Sequence, residues 1–156
     1  MTTAQRWGTF AEQQPAMAEA GRALLYQYGP GLAFLGTIRK DGGPRLHPVC
    51  PVIVDDGLYV FVGNQSPKLA DLRRDPRYAM HTFPPEQVDD EFYVAGTARP
   101  IDSDPSLRQH VLDVYLAQGT TTQNDTLFEF LLDHVMWAKY EGRPSWPPAY
   151  TKWHAG

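Results

Sequence analysis

Cysteine is nearly missing from this sequence: Cys50 is the only one among 156 residues. No intramolecular disulfide can form, and a free thiol of this kind usually packs as a small hydrophobe. Long apolar runs are missing as well. Nothing approaches the ~20 consecutive apolar residues of a membrane-spanning helix, and the stretch from Met1 to Gln14 is too polar for a secretory leader. Positive charge is not concentrated. The formal net charge is −4, and the basic residues are scattered apart from Lys68, Arg73, Arg74 and Arg77, whereas nucleic acid would favour a basic face. The five histidines, at 47, 81, 110, 134 and 154, show no metal-ligand spacing, and no Gly-x-Ser-x-Gly elbow occurs. These absences predict a cytoplasmic globular protein with no metal, no nucleic-acid partner and no membrane contact.

What is present is punctuation. The 14 prolines and 13 glycines fall mostly between apolar runs, and 42% hydrophobic against 21% charged residues is enough for a buried core. One domain spanning residues 1–156 is expected. Phe10 to Tyr28 reads as a helix, with Met17, Leu24, Leu25 and Tyr28 on one face, and Gly29-Pro30-Gly31 ends it. The period then shortens. Runs at 32–39, 45–54 and 58–62, separated by Lys40-Asp41-Gly42-Gly43 and Asp55-Asp56-Gly57, predict three antiparallel strands in a meander. In the third, Leu58, Val60 and Val62 alternate with Tyr59 and Phe61, so both faces are covered, as a barrel or a dimer interface demands. Pro48 and Pro51 interrupt the middle strand. They fit either a protected edge or a gap that a ligand fills.

Ser66 to Arg74 is a short helix with Ser66 as N-cap and Pro67 at its first position. Strands at 78–83 and 91–99 follow, then a helix capped by Asp104 and ended by Gly119. Residues 127–140 fit both periods; a strand with a phase shift near Asp133-His134 is favoured. The tail from Pro144 to Gly156 is expected to lie extended on the surface, with Trp137, Trp146 and Trp153 packing there or forming a lid or dimer contact. The sum is a small antiparallel β-barrel with a few helices.

The candidate chemistry lies where the third strand turns into the Ser66 helix. A helix N-terminus offers free N–H groups and the positive end of the helix dipole, Ser66 adds a hydroxyl and Lys68 a charge. Gly63 and Asn64 relax the backbone beside it. A capped surface helix with a solvated lysine has the same pattern, so the support must come from elsewhere. Arg45, His47 and Val49 alternate onto one face of the second strand, setting two potential cations beside an apolar patch.

The ordered set Gly36-Thr-Ile-Arg-Lys-Asp-Gly-Gly-Pro-Arg-Leu-His-Pro-Val, Asp56-Gly-Leu-Tyr-Val-Phe-Val, Ser66-Pro-Lys-Leu-Ala-Asp-Leu-Arg-Arg-Asp-Pro-Arg and Glu91-Phe-Tyr-Val-Ala-Gly-Thr-Ala resembles the pyridoxamine 5′-phosphate oxidase-like flavoproteins. The likeness is good over about residues 30–100 and looser elsewhere. It implies a mainly β, six-stranded antiparallel split β-barrel (Greek key) with peripheral helices. It also implies a homodimer with FMN at the subunit interface, acting as an oxidoreductase on a small molecule. Carried over by position, Arg45, His47, Pro48, Val49, Val62, Gly63, Ser66 and Lys68 would bind the cofactor, and no catalytic acid or base is implied. Glu91 falls where the oxidases have a glutamine near the ring. Val52 stands where they grip the substrate phosphate with a lysine, which argues against vitamin B6 as substrate. A deazaflavin in the same groove, or a protein that holds flavin or heme without turnover, are the alternatives.

Overall fold

The computed structural model describes residues 3–122 and 124–156. Among them the element order is α1 (Trp7–Gln13), α2 (Pro15–Leu25), β1 (Ala33–Ile38), β2 (Pro44–Val49), β3 (Val52–Val54), β4 (Gly57–Val62), α3 (Pro67–Arg74), β5 (Arg77–Thr82), β6 (Glu91–Pro100), α4 (Pro105–Ala117), β7 (Thr126–Lys139) and β8 (Ala149–His154). No described helix is long and apolar enough to cross a membrane. The strands form one antiparallel sheet in the order β2-β1-β5-β6-β7-β4-β3, with β8 added on β7. Eight strands replace the six expected. The mainly β, split-barrel class stands.

Two differences come from proline. The expected single first helix is two, because Pro15 takes the first position of α2 and pushes Gln14 out of helical geometry (φ −135°, ψ 67°). The expected middle strand is also two. Its first half, β2, pairs with β1, setting His47 opposite Leu35 and Arg45 opposite Thr37. Its second half, β3, pairs with β4, setting Val52 opposite Tyr59. Cys50 and Pro51 carry the chain from one margin of the sheet to the other. Pro51 cannot donate to a ladder, which releases the chain at that point, and the backbone passes so close to Gly31 that a Cβ there would lie 1.9 Å from the Pro51 carbonyl oxygen.

The alternation expected of 58–62 separates two cores. Leu58, Val60 and Val62 point into the main core with Leu35, Phe130, Leu132 and the α1–α2 residues Phe10 and Met17. Tyr59 and Phe61 point the other way, against Val52, Val54, Leu127 and the α4 residues Val111 and Tyr115. Cys50 packs against this second group as a half-buried thiol, and burial pushes its pKa up. Every residue of β4 is buried, and each large apolar side chain so removed from water contributes roughly 1.5–3 kcal/mol.

Residues 126–139 form a strand, and the phase shift is there. Ala95 lies opposite His134 but Gly96 lies opposite Leu132, so Asp133 is an extra residue in β7. Gly96 is required at this bulge, since a Cβ would stand 2.0 Å from the Leu131 carbonyl oxygen. The tail is not a surface appendage. β8 pairs with the second half of β7, and Trp153 is buried with its ring 5.3 Å from Phe10 and its indole N–H donated to Gln13 Oε1 at 2.9 Å. Trp137 packs half-buried against the main core, while Trp146 stays in solvent.

The N-terminal segment is strapped across β7 by a bridge between Gln5 and Leu132 and by Arg6, whose Nε donates to Glu129 Oε2 at 2.7 Å. Glu129 is almost fully buried and lies directly opposite both Arg99 and Tyr59 in the sheet. Arg99 donates through Nε and Nη2 to Glu129 Oε1, at 3.2 and 2.5 Å, and Arg6 Nη2 donates to the Tyr59 hydroxyl at 3.1 Å. The buried charge is thereby paired on both oxygens.

Candidate functional site

The turn after β4 closes with Ser66 N–H donating to Gly63 O at 2.9 Å. Ser66, in extended backbone geometry, caps α3 by accepting from the Lys68 N–H at 3.3 Å. The Lys68 side chain curls back over the helix start. Its Nζ donates to Ser66 Oγ at 2.9 Å and lies 3.1 Å from His47 Nδ1. His47 arrives from β2, held by its pairing with β1, and Arg45 stands two residues earlier on the same face. One corner therefore collects a serine hydroxyl, an ammonium, an imidazole and a guanidinium at a helix N-terminus.

The charges there are unbalanced. Among the described residues, no carboxylate lies within ion-pair distance of Lys68. Burial, then the nearby Arg45 charge, holds the Lys68 pKa below the usual lysine range. Burial, Lys68 and Arg45, in that order, hold His47 below the usual histidine range, with Asp71 opposing them. The acid in the neighbourhood is Asp71 on α3, whose Oδ2 accepts from Arg45 Nε at 2.7 Å and Thr37 Oγ1 at 2.8 Å, and whose Oδ1 accepts from Arg74 Nη2 at 3.0 Å. Nothing in the sequence pattern singled out Asp71 or Thr37; the one available signal was that Asp71 precedes Leu72 on the buried side of a short helix.

The other sequence candidates fall around this corner in different ways. Gly63 borders a polar cavity of about 600 Å³ that continues from Ser66 between Asn64, Gln65 and the segment carrying Thr121, Thr122 and Asp125. Pro48 is exposed on β2. Val49 and Val62 turn their side chains into the main core, so only their backbone faces outward. Val52 is fully buried in the second core, where a lysine would lose its hydration. Glu91 lies elsewhere, with Oε1 3.3 Å from His81 Nε2, and lines a separate cavity of about 280 Å³ with Tyr140 and Asp90. A further apolar cavity of about 420 Å³ opens on the outer face of β6, β7 and β8, lined by Tyr93, His134, Met136, Tyr150 and Lys152. His134 stacks on His154 there, ring centres 4.5 Å apart, and its Nε2 is buried without a partner.

The Ser66 corner offers donors and positive charge of the kind an anion such as a phosphate would need. Anion oxygens would replace the missing counter-charge at Lys68 and accept from its ammonium group.

Comparison with known proteins agrees with the fold. A protein from Clostridium acetobutylicum related to general stress protein 26, of the pyridoxinephosphate oxidase family, superposes with TM-score 0.65 at 10% identity, covering 90% of this chain and 95% of that one. A heme-binding protein from Mycobacterium smegmatis gives TM-score 0.62 at 18% identity over 85% of this chain, which spans only 57% of that protein's length. A candidate 5-nitroimidazole antibiotic resistance protein from Bacteroides thetaiotaomicron gives 0.62 at 18% identity, covering 75% and 80%. Such identities carry the fold alone. Among curated proteins none matches the sequence. The family model described as pyridoxamine 5′-phosphate oxidase, however, matches residues 17–138, a span that includes the whole Ser66 corner. With that span and the eight-stranded split barrel, the chain belongs to the pyridoxamine 5′-phosphate oxidase-like family.

Proposed function

We propose that this chain is an FMN-dependent oxidoreductase acting on a small molecule other than vitamin B6 phosphate. The observation that carries the reading is the uncompensated positive charge of Lys68 and its neighbours at the start of α3. Ser66, Lys68, His47 and Arg45 would hold the cofactor phosphate, and the backbone at Val62 and Gly63 would run beside the rest of the molecule. When bound, FMN supplies reversible hydride transfer. The chain's own contribution is to bind and orient; no side chain at the corner is arranged as a nucleophile or as a carboxylate base. With Val52 buried where the oxidases carry a lysine, a second phosphate grip would be lacking, which supports a substrate other than a phosphorylated vitamin.

A homodimer belongs to this reading. The outer sheet face carries apolar side chains that nothing in the single chain covers, among them Leu46 at 68% exposure and Tyr150 at 51%. A second reading, a protein that binds heme or flavin without turnover, is favoured by one observation: the apolar cavity beside the stacked His134–His154 pair.

The test is a titration of ligand-free protein with FMN, riboflavin, a deazaflavin and hemin, followed by absorbance and fluorescence. FMN should bind at micromolar concentration and about 100-fold more tightly than riboflavin, which lacks the phosphate. Failure to take up FMN, or equal affinity for the two flavins, overturns the reading. A bound flavin that NAD(P)H cannot reduce, or a tight hemin complex in its place, would transfer the case to the second reading.

A further inference from the structure

Asp71 sits directly behind the corner, 2% exposed, and its carboxylate is filled entirely by protein donors. Burial alone would raise its pKa, but hydrogen bonds from Arg45, Thr37 and Arg74 outweigh it and hold Asp71 below the usual range. A buried carboxylate of this kind is stable only when its oxygens are satisfied. That condition explains why it is tolerated. It does not explain how Arg45 is attached.

An arginine paired only for stability commonly meets a carboxylate with two parallel N–H groups. Arg45 instead gives Asp71 its Nε alone, at 2.7 Å, and its two terminal nitrogens donate to no protein group among the described residues. The side chain is 27% exposed. A planar guanidinium held at Nε keeps its two-pronged end available for a planar or tetrahedral anion. The strand alternation puts that end on the same face as His47, which touches Lys68, which touches Ser66. Thr37 lies opposite Arg45 in the β1–β2 pairing and donates to the same Asp71 oxygen, so two paired strands hold that oxygen while Arg74 of α3 holds the other.

We propose that Asp71 is a positioning residue for anion binding: it fixes Arg45 through Nε so that the terminal N–H pair of Arg45 joins Ser66 and Lys68 around a phosphate. The assignment rests on the reading of this corner as the FMN phosphate site. Arg74, which holds the other Asp71 oxygen and the Ile38 carbonyl, serves the carboxylate and not the ligand.

The experiment compares FMN and riboflavin affinities in Asp71→Asn, Arg45→Ala and the double variant. Asp71→Asn should lower the preference for FMN over riboflavin about tenfold while leaving riboflavin affinity unchanged. In the Arg45→Ala background it should take nothing further from that preference. A purely structural Asp71 would weaken both flavins alike, and an unchanged preference, or full additive loss in the double variant, overturns the assignment. Should Asp71→Asn not fold, Arg45→Lys decides the matter, because lysine keeps the charge but cannot be held at one nitrogen and present two others. It should lose a similar share of the preference; retention of the full preference overturns the assignment. Wild-type protein with no preference for FMN removes the cofactor reading itself, an outcome distinct from a wild-type preference that survives Asp71→Asn.

Discussion

Two buried carboxylates in this protein are built almost alike and end differently. Glu129 meets Arg6 and Arg99, with the Tyr59 hydroxyl accepting from Arg6; Asp71 meets Arg45, Arg74 and the Thr37 hydroxyl. Each draws donors from neighbouring strands in register. Around Glu129 the arginine nitrogens are more fully engaged: Arg99 gives two to the carboxylate, and Arg6 gives one to it and one to Tyr59. Around Asp71 the Arg45 terminal nitrogens are left over, and Lys68 adds positive charge with no acid partner among the described residues. The first cluster spends its hydrogen bonds on the fold. The second keeps a surplus, and surplus donors at a helix N-terminus are what a phosphate requires.

The comparison can be broken from either end. The largest effect should come from Glu129→Ala, which strands Arg6 and Arg99 beside a cavity and releases the N-terminal strap. Urea unfolding should show a loss of about 3–5 kcal/mol, while the protein that remains folded keeps its preference for FMN over riboflavin. A change in that preference would mean that the two clusters are not separate. Lys68→Ala should do the reverse. FMN affinity should fall roughly 10- to 100-fold in a fluorescence titration, with the melting temperature unchanged or slightly raised, since no acid partner is lost.

His47 should give a smaller, pH-dependent effect. Burial, Lys68 and Arg45 hold its pKa down, with Asp71 opposing; a bound phosphate would raise it. Binding then takes up a proton, so FMN affinity should rise as pH falls from neutral toward the His47 titration. Replacing His47 by Ala should remove roughly threefold of that gain across one pH unit, while the titration of the phosphate itself, near pH ~6, persists in both proteins. Equal pH profiles would exclude His47 from the site. The smallest effect is expected for Arg74→Ala: about 1 kcal/mol of stability from one exposed ion pair on a buried partner, and no change in flavin preference.

Much of the fold could be read from residue patterns because the patterns were local. Ser66-Pro67 and Asp104-Pro105 mark helix starts to the residue, and the alternation broken at Asp133 marks a bulge that the pairing register contains. Pattern and structure part where the chain changes course after a proline. Local turn signals made 45–54 one strand of a meander, yet its halves serve opposite margins of the sheet. Likewise the aromatic tail gave no local sign that Trp153 would be drawn into the core beside Phe10. At the candidate site, the cations were legible as an alternating pair and a capped helix. Asp71 was not, because its role depends on a strand pairing between residues that lie 26 and 34 positions away.

The passage through Cys50 and Pro51 has a mechanical meaning. Val49 and Val52 end the two margins of the sheet and are joined by three peptide links, a leash of about 10 Å at full stretch. Neither margin can unroll while the other stays in place, so the seam that splits the barrel is also stapled by the chain. At Pro44, Pro48 and Pro51 that margin has no N–H to offer an incoming strand. A molecule that leaves its barrel open along one side thus gains protection against edge-to-edge growth from the same prolines that let the chain cross.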